Sequence, residues 1–190
     1  MINNISMLAI ILTGAALIRE RECGTLEHLL VLPLRSFEIM VSKIWAMALV
    51  VLATAGISQL VVIEWIMGVP AEGSRLLFMT GLAMYLFAVT SLGIFLACIA
   101  QNMPQLGILL ILVLLPMEML SGGSTPLESM PPLIQKVMQI SPTTQFVSFS
   151  QAILFRGAGL EVVWKQFLAL IVIGTVLFVY SLTRFRRSAA

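Results

Sequence analysis

The sequence turns on the stretch Arg19-Glu20-Arg21-Glu22-Cys23-Gly24-Thr25-Leu26-Glu27-His28-Leu29-Leu30-Val31-Leu32-Pro33. It is the only dense cluster of charge in a chain of 190 residues that is 59% hydrophobic and 11% charged, with a mean hydropathy of +1.04. Soluble domains are about 25% charged, so this composition is that of an integral membrane protein. Long apolar runs flank the stretch on both sides. A charged segment between two such runs belongs in water, at a membrane face.

Outward from that stretch, the apolar runs set the architecture. A helix needs about 20 predominantly apolar residues to cross a bilayer. Five spans are expected, at about 1–18, 44–67, 76–100, 106–120 and 162–182. The first is just long enough, and the fourth is short, with Pro116 inside it and Glu118 near its end. Helices close their backbone hydrogen bonds within one segment, as lipid demands. The expected fold is therefore all-α, a polytopic transmembrane helix bundle forming one domain over 1–190. A cytosolic elbow occupies 19–43 and an external helical segment occupies 121–161. Residues 1–18 lack the basic n-region and the small-residue cleavage site of a signal peptide, so they too are expected to span.

Lys and Arg counts orient the bundle. With the N-terminus outside, the cytosolic pieces hold seven cations: Arg19, Arg21, Arg35, Lys43, Arg184, Arg186 and Arg187. The outer pieces hold four: Arg75, Lys136, Arg156 and Lys165. The C-terminus is then cytosolic, and Trp164 and Tyr180 fall near the two ends of the last span, as interfacial aromatics do. An outer N-terminus is natural where an earlier span precedes it, so the chain is expected to be the C-terminal part, or a shortened form, of a longer membrane protein. A net charge of +2 gives no footing for nucleic acid.

Within the elbow, Gly24-Thr25 reads as a helix start, with Thr25 as cap and Glu27 in the first turn, where a carboxylate suits the helix dipole. Leu26, Leu29 and Leu30 share one face, and Pro33 ends the helix. Ser36 caps a second helix, with Glu38 in its first turn. A helix that rests on an anionic leaflet is strongly basic. Here Glu20, Glu22, Glu27 and Glu38 balance Arg19, Arg21, Arg35 and Lys43. That balance favours a protein partner over a lipid surface, though an amphipathic helix lying on lipid stays open.

In the external segment, Leu127, Met130, Leu133, Ile134, Val137 and Met138 recur at helical spacing and predict an amphipathic helix. Ser141-Pro142 reads as a cap followed by proline at the first helical position. Phe146, Val147, Phe149, Ile153 and Leu154 form a second apolar face, ended by Gly157 and Gly159. These two helices either re-enter the membrane as a lid or lie on its surface. Glu64 and Glu118 are expected near the outer interface, within reach of water. Gln59, Thr80, Thr90 and Ser91 could line a path or bond between helices, and Ala53, Gly56, Gly93 and Ala97 could allow close helix contact.

Chemistry of the chain's own is not indicated. It has no Gly-x-x-x-x-Gly-Lys-Ser/Thr phosphate loop and no His-Glu-x-x-His motif. The single histidine, His28, lies in the elbow, far from any membrane-embedded serine. Cys23 and Cys98 have neither metal-ligand nor disulfide spacing. The spans lack the paired acids and bases of proton-coupled carriers, so the energy for any transport is expected from a partner.

The run Glu22-x-Gly24-Thr25-x-Glu27-x-Leu29-Leu30-x-x-Pro33, followed by Ser42-Lys43, resembles the signature of ABC transporter permeases of the type 2 exporter class. Ser42 departs from the glycine usual before that lysine. A second segment, Gly122-Gly123-x-x-Pro126-x-x-x-Met130-Pro131 and then Ser141-Pro142-Thr143-Thr144-x-Phe146-Val147 and Arg156-Gly157, resembles the external part of the same family before its last span. The resemblance covers nearly the whole chain, leaving out only the first span and external domain of full members. It implies a permease that docks on a cytosolic ABC ATPase through Glu20, Glu22, Gly24, Thr25, Glu27, Leu29, Leu30 and Pro33. It also implies an external gate around Pro116, Gly122, Gly123, Pro126, Pro131 and Pro142. ATP would be used by the partner, with no cofactor, metal or catalytic residue in this chain. The permease would pair with a second copy or a related subunit in the plasma membrane, in bacteria the inner membrane. Two other functions compete: a non-transporting membrane anchor for an ATPase, and, with less behind it, an intramembrane enzyme.

Overall fold

A computed structural model describes residues 2–22, 36–58, 73–123 and 129–188. Among them the chain forms seven helices: α1 (Ile2–Glu22), α2 (Ser36–Ser58), α3 (Arg75–Ile99), α4 (Met103–Met119), α5 (Pro132–Met138), α6 (Pro142–Arg156) and α7 (Leu160–Ser188). The all-helical bundle expected from the apolar runs is the fold observed.

Helix α3 is the hub. It packs against α1, α2, α4, α6 and α7. Its span is 61% buried, against 24% for α2 and 28% for α7, which leaves those two mostly facing outward. Around the hub each helix turns in one stripe. On α1 the buried positions are Ser6, Ala9, Ile10, Thr13, Gly14, Leu17 and Ile18, alternating steps of three and one that keep to one helix face, while Leu8 and Leu12 are exposed. On α7 the stripe is Val163, Phe167, Leu170, Gly174, Phe178 and Ser181. In lipid the apolar effect does not draw such stripes together, so close packing and polar contacts must hold them.

Small residues provide that closeness at one crossing. A Cβ on Gly93 would fall 2.8 Å from the Ile10 carbonyl oxygen, and one on Gly14 would fall 3.2 Å from the Gly93 oxygen. Helices α1 and α3 therefore meet backbone to backbone. Of the other small residues expected at contacts, Ala97 is buried, Gly56 reaches only the end of the Met79 side chain, and Ala53 is exposed.

Three helices are long and apolar enough to cross a membrane among the described residues: Met40–Ile57 within α2, Arg75–Ile99, and Leu160–Arg184 within α7. Helix α4, at 17 residues, is the short one anticipated; at 1.5 Å per residue it reaches about 25 Å. Its entry is well built. Asn102 Oδ1 accepts from the Gln105 amide at 2.9 Å, and Gln105 Oε1 accepts from the Gln101 amide at 2.8 Å, which ties the tight α3–α4 connection.

The structure departs from sequence expectation at several boundaries. The first helix does not stop at residue 18 but runs on through Glu22, because Arg19-Glu20-Arg21-Glu22 are all good helix formers. Glu20 and Glu22 thus belong to a helix end and not to a loop. The predicted elbow helix at 24–33 and residues 59–67 of the second span lie outside the described residues. The first external helix is shorter than predicted, covering Pro132–Met138. Pro131 and Pro132 lack amide hydrogens, so the helix cannot be extended backward through them. Its apolar face is also not buried: Leu133 is 77% exposed and Val137 62%, while Met130 and Met138 are covered. The second external helix begins and ends as expected, with Ser141 extended at its start and Gly157 left-handed at φ 59° at its end. The Ser141 hydroxyl, however, makes no capping bond.

Candidate functional site

Two polar contacts that cross between helices sit toward the two ends of α1. At one end, Glu22 Oε1 accepts a hydrogen bond from the Met103 amide at 2.8 Å. Met103 opens α4, where the first amides have no partner within the helix and the dipole is positive. The carboxylate therefore completes the start of α4 alongside Asn102. Glu20 lies a half-turn away and is partly buried. Gly24, Thr25, Glu27, Leu29, Leu30 and Pro33 lie outside the described residues.

At the other end, the fully buried Tyr85 of α3 joins three helices. Its hydroxyl bonds to Ser6 Oγ on α1, and the Thr143 side chain of α6 lies beside it. Its ring stacks flat on Phe146 of α6, centroids 4.0 Å apart and planes within 5°. The aromatic contacts continue outward. Phe146 meets Phe149 edge-on at 5.1 Å, and Phe149 meets Phe167 of α7 at 5.3 Å and 90°. Gly81 makes room for that pair, since a Cβ there would fall 2.7 Å from both Phe149 and Phe167. Helix α6 is thus an inward-packed element, held by Tyr85 on one side and Phe167 on the other.

The described gate residues fall within α4, on the turn after it, and at the starts of α5 and α6. Pro142 is buried at the first position of α6, whereas Pro116 within α4 and Pro131 at the start of α5 are exposed. Gly122, at φ 90°, makes the turn that leaves α4. Gly123 follows it, its amide 3.4 Å from Ser121 Oγ, which itself donates to the Glu118 carbonyl. Pro126 lies outside the described residues. Glu118 is partly buried, and its Oε1 has no hydrogen-bond partner. The hydroxyls considered as path-lining groups bond within their own helix. Thr80, Thr90 and Ser91 each donate to a carbonyl four residues back on their own helix, at 3.0, 2.6 and 2.7 Å. Gln59 and Glu64 are outside the described residues.

A groove of about 500 Å³ opens between α2, α3 and α7, lined by side chains such as Ile44, Trp45, Leu49, Met84 and Phe87. Binding pockets orient a ligand through a few placed polar groups, and this lining is aliphatic and aromatic throughout. Its chemistry matches a lipid-facing cleft and provides no selectivity.

Sequence reasoning did not single out Tyr85 or Ser6. The available signal was a tyrosine in the middle of a 25-residue apolar helix, whose buried hydroxyl requires a partner.

Comparison with known proteins adds an independent line. Residues 1–155 match the family model described as ABC-2 type transporter. The chain is 62% identical over 187 residues to the inner membrane transport permease YhhJ of Escherichia coli, covering 98% of this chain and 50% of that protein. It is 30% identical over 177 residues to the probable multidrug ABC transporter permease YbhR of the same organism, covering 93% of this chain and 48% of that one. The chain spans about half the length of these curated relatives. No solved structure matches it.

Proposed function

The chain belongs to the ABC-2 type transporter family, and from that premise we propose that it is the membrane-spanning part of a permease subunit driven by a separate cytosolic ABC ATPase, moving cargo outward. The elbow between α1 and α2 is the docking surface. Glu20, Glu22, Gly24, Thr25, Glu27, Leu29, Leu30 and Pro33 transmit force there and catalyse nothing. Pro116, Gly122, Gly123, Pro126, Pro131 and Pro142 shape an outer gate beside α6. The C-terminus faces the cytosol, and the membrane is the plasma membrane, the inner one in bacteria, in keeping with the relatives named as inner membrane permeases.

The observation that carries this reading is the tie between Glu22 and Met103. The charged end of α1 leads directly into the elbow, and Glu22 fastens that end to the start of α4. A push on the elbow therefore acts on two membrane helices at once. Balanced charge in the elbow supports a protein as the agent that pushes. Working as a dimer also accords with α4, where Ile108, Ile111, Leu112, Leu115 and Met119 are exposed along one side. We place the second permease on that side.

The test is Glu27→Lys in the full permease expressed with its ATPase. The variant should insert normally yet fail to co-purify with the ATPase or to stimulate it. Retained co-purification and stimulation would remove the elbow from the docking role. Glu161→Lys, at the exposed start of α7, should leave both unchanged.

A further inference from the structure

We propose that Tyr85 is the joint through which a movement of α1 reaches the external helix α6. The inference rests on the motor-driven reading above and adds a positioning residue to it. Three observations carry it. First, the Tyr85 hydroxyl bonds to Ser6 on α1. Second, the Tyr85 ring lies flat against Phe146 of α6, so the ring and α6 move together. Third, the hydroxyls of Ser141, Thr144 and Ser150 on α6 have no partner. The stack of Phe146 on Tyr85, and not a bond from those hydroxyls, is then what ties α6 toward α1.

The middle of α1 gives the joint something to transmit. Ile10 and Gly14 touch the Gly93 backbone of α3, and this crossing cannot open without losing close packing. A displacement at the Glu22 end therefore tilts α1 about the crossing and moves Ser6 in the opposite sense. Ser6 is buried, and its bond to the Tyr85 hydroxyl is costly to break there. Tyr85 follows Ser6, and Phe146 follows Tyr85. The cytosolic elbow and the outer helix become two ends of one linkage.

The experiment uses the full-length permease with its ATPase in lipid nanodiscs, Cys23 and Cys98 replaced by serine. Spin labels are placed at the exposed positions Arg19 on α1, Ser148 on α6 and Val176 on α7. Distances from 19 to 176 and from 148 to 176 are measured without nucleotide and after trapping with ATP and vanadate. Both should shift in the parent protein. Tyr85→Phe keeps the ring on Phe146 and removes the hydroxyl. It should leave the 19–176 shift in place and abolish the 148–176 shift. Ser6→Ala should do the same, and the double variant should be no worse than either single one. A merely structural hydroxyl would lower thermal stability while both shifts survived. A 148–176 shift that persists in Tyr85→Phe, or is absent from the parent, overturns the joint. A 19–176 distance that never changes in the parent overturns the motor reading, and the joint with it.

Discussion

Glu22 of α1 accepts a hydrogen bond from the Met103 amide of α4 at 2.8 Å, across 81 residues of sequence. A residue that looked like part of a solvated loop is instead a helix cap provided by another helix. Its carboxylate meets the positive end of α4, where both the unmet amide and the dipole favour it.

Glu22→Gln keeps an acceptor and removes the charge, whereas Glu22→Ala removes both. The pair is exposed, so the charge contributes about 0.3–1 kcal/mol, reduced by salt. Thermal unfolding in detergent should rank the parent above Glu22→Gln and Glu22→Ala lowest. The gap between the parent and Glu22→Gln should close at 1 M salt, on the order of a 3 Å screening length. Equal stability of all three would show that the contact contributes nothing.

Gly93→Ala tests the α1–α3 crossing. The added carbon would meet backbone, at 2.8 Å from the Ile10 oxygen, and backbone cannot rotate aside. Overpacking of this kind costs about 1–3 kcal/mol, so the melting temperature should fall clearly. An unchanged melting temperature would mean that α1 can stand off from α3 freely.

Gly81→Ala and Gly107→Ala form a matched pair within helices. At Gly81 the new carbon meets the Phe149 and Phe167 rings at 2.7 Å, while at Gly107 nothing lies within 4 Å. The first should lose about 1–3 kcal/mol. The second should gain up to about 1 kcal/mol from helix propensity alone. Opposite signs in the two melting shifts are the expected result.

The exposed side of α4 predicts a cross-link. Leu112→Cys, on a background without the native cysteines, should form a disulfide-linked pair under mild oxidation in membranes. Leu133→Cys on α5 is at least as exposed, at 77% against 68%, and should not. Equal cross-linking at both positions would point to random collision.

Much of the bundle was legible because its signals are long and repetitive. Apolar runs near bilayer length located α2, α3, α4 and α7, and Ser141-Pro142 with Gly157 located both ends of α6. Boundaries set by competing local effects were less readable. Composition alone cannot say that Arg19–Glu22 continue a helix after the apolar run has ended. Nor could the periodicity of 127–138 reveal that Pro131-Pro132 would shorten α5 and leave Leu133 in the open. The candidate site was legible by half. Glu22 stood out by charge, but its partner Met103 is a backbone amide and has no sequence signature. Tyr85, Ser6 and Thr143 lie 58 to 137 residues apart in the chain, and only the packing around α3 brings them together.

The central place of α3 has a consequence for how the protein is made. Synthesis runs from the N-terminus, so α3 emerges well before the helices that cover its other faces. The end of α6 lies 57 residues beyond the end of α3, on the order of several seconds at usual elongation rates. During that interval Tyr85 can already hold Ser6, but Thr143 and Phe146 do not yet exist. A nascent chain stopped after α4 would present the Gly81 hollow and an uncovered tyrosine ring directly to lipid or to the insertion machinery. Arrival of α6, and then of α7 with Phe167, completes the hub, and a quality-control protease that senses incompletely packed helices in the bilayer would find its target in chains that never reach that stage.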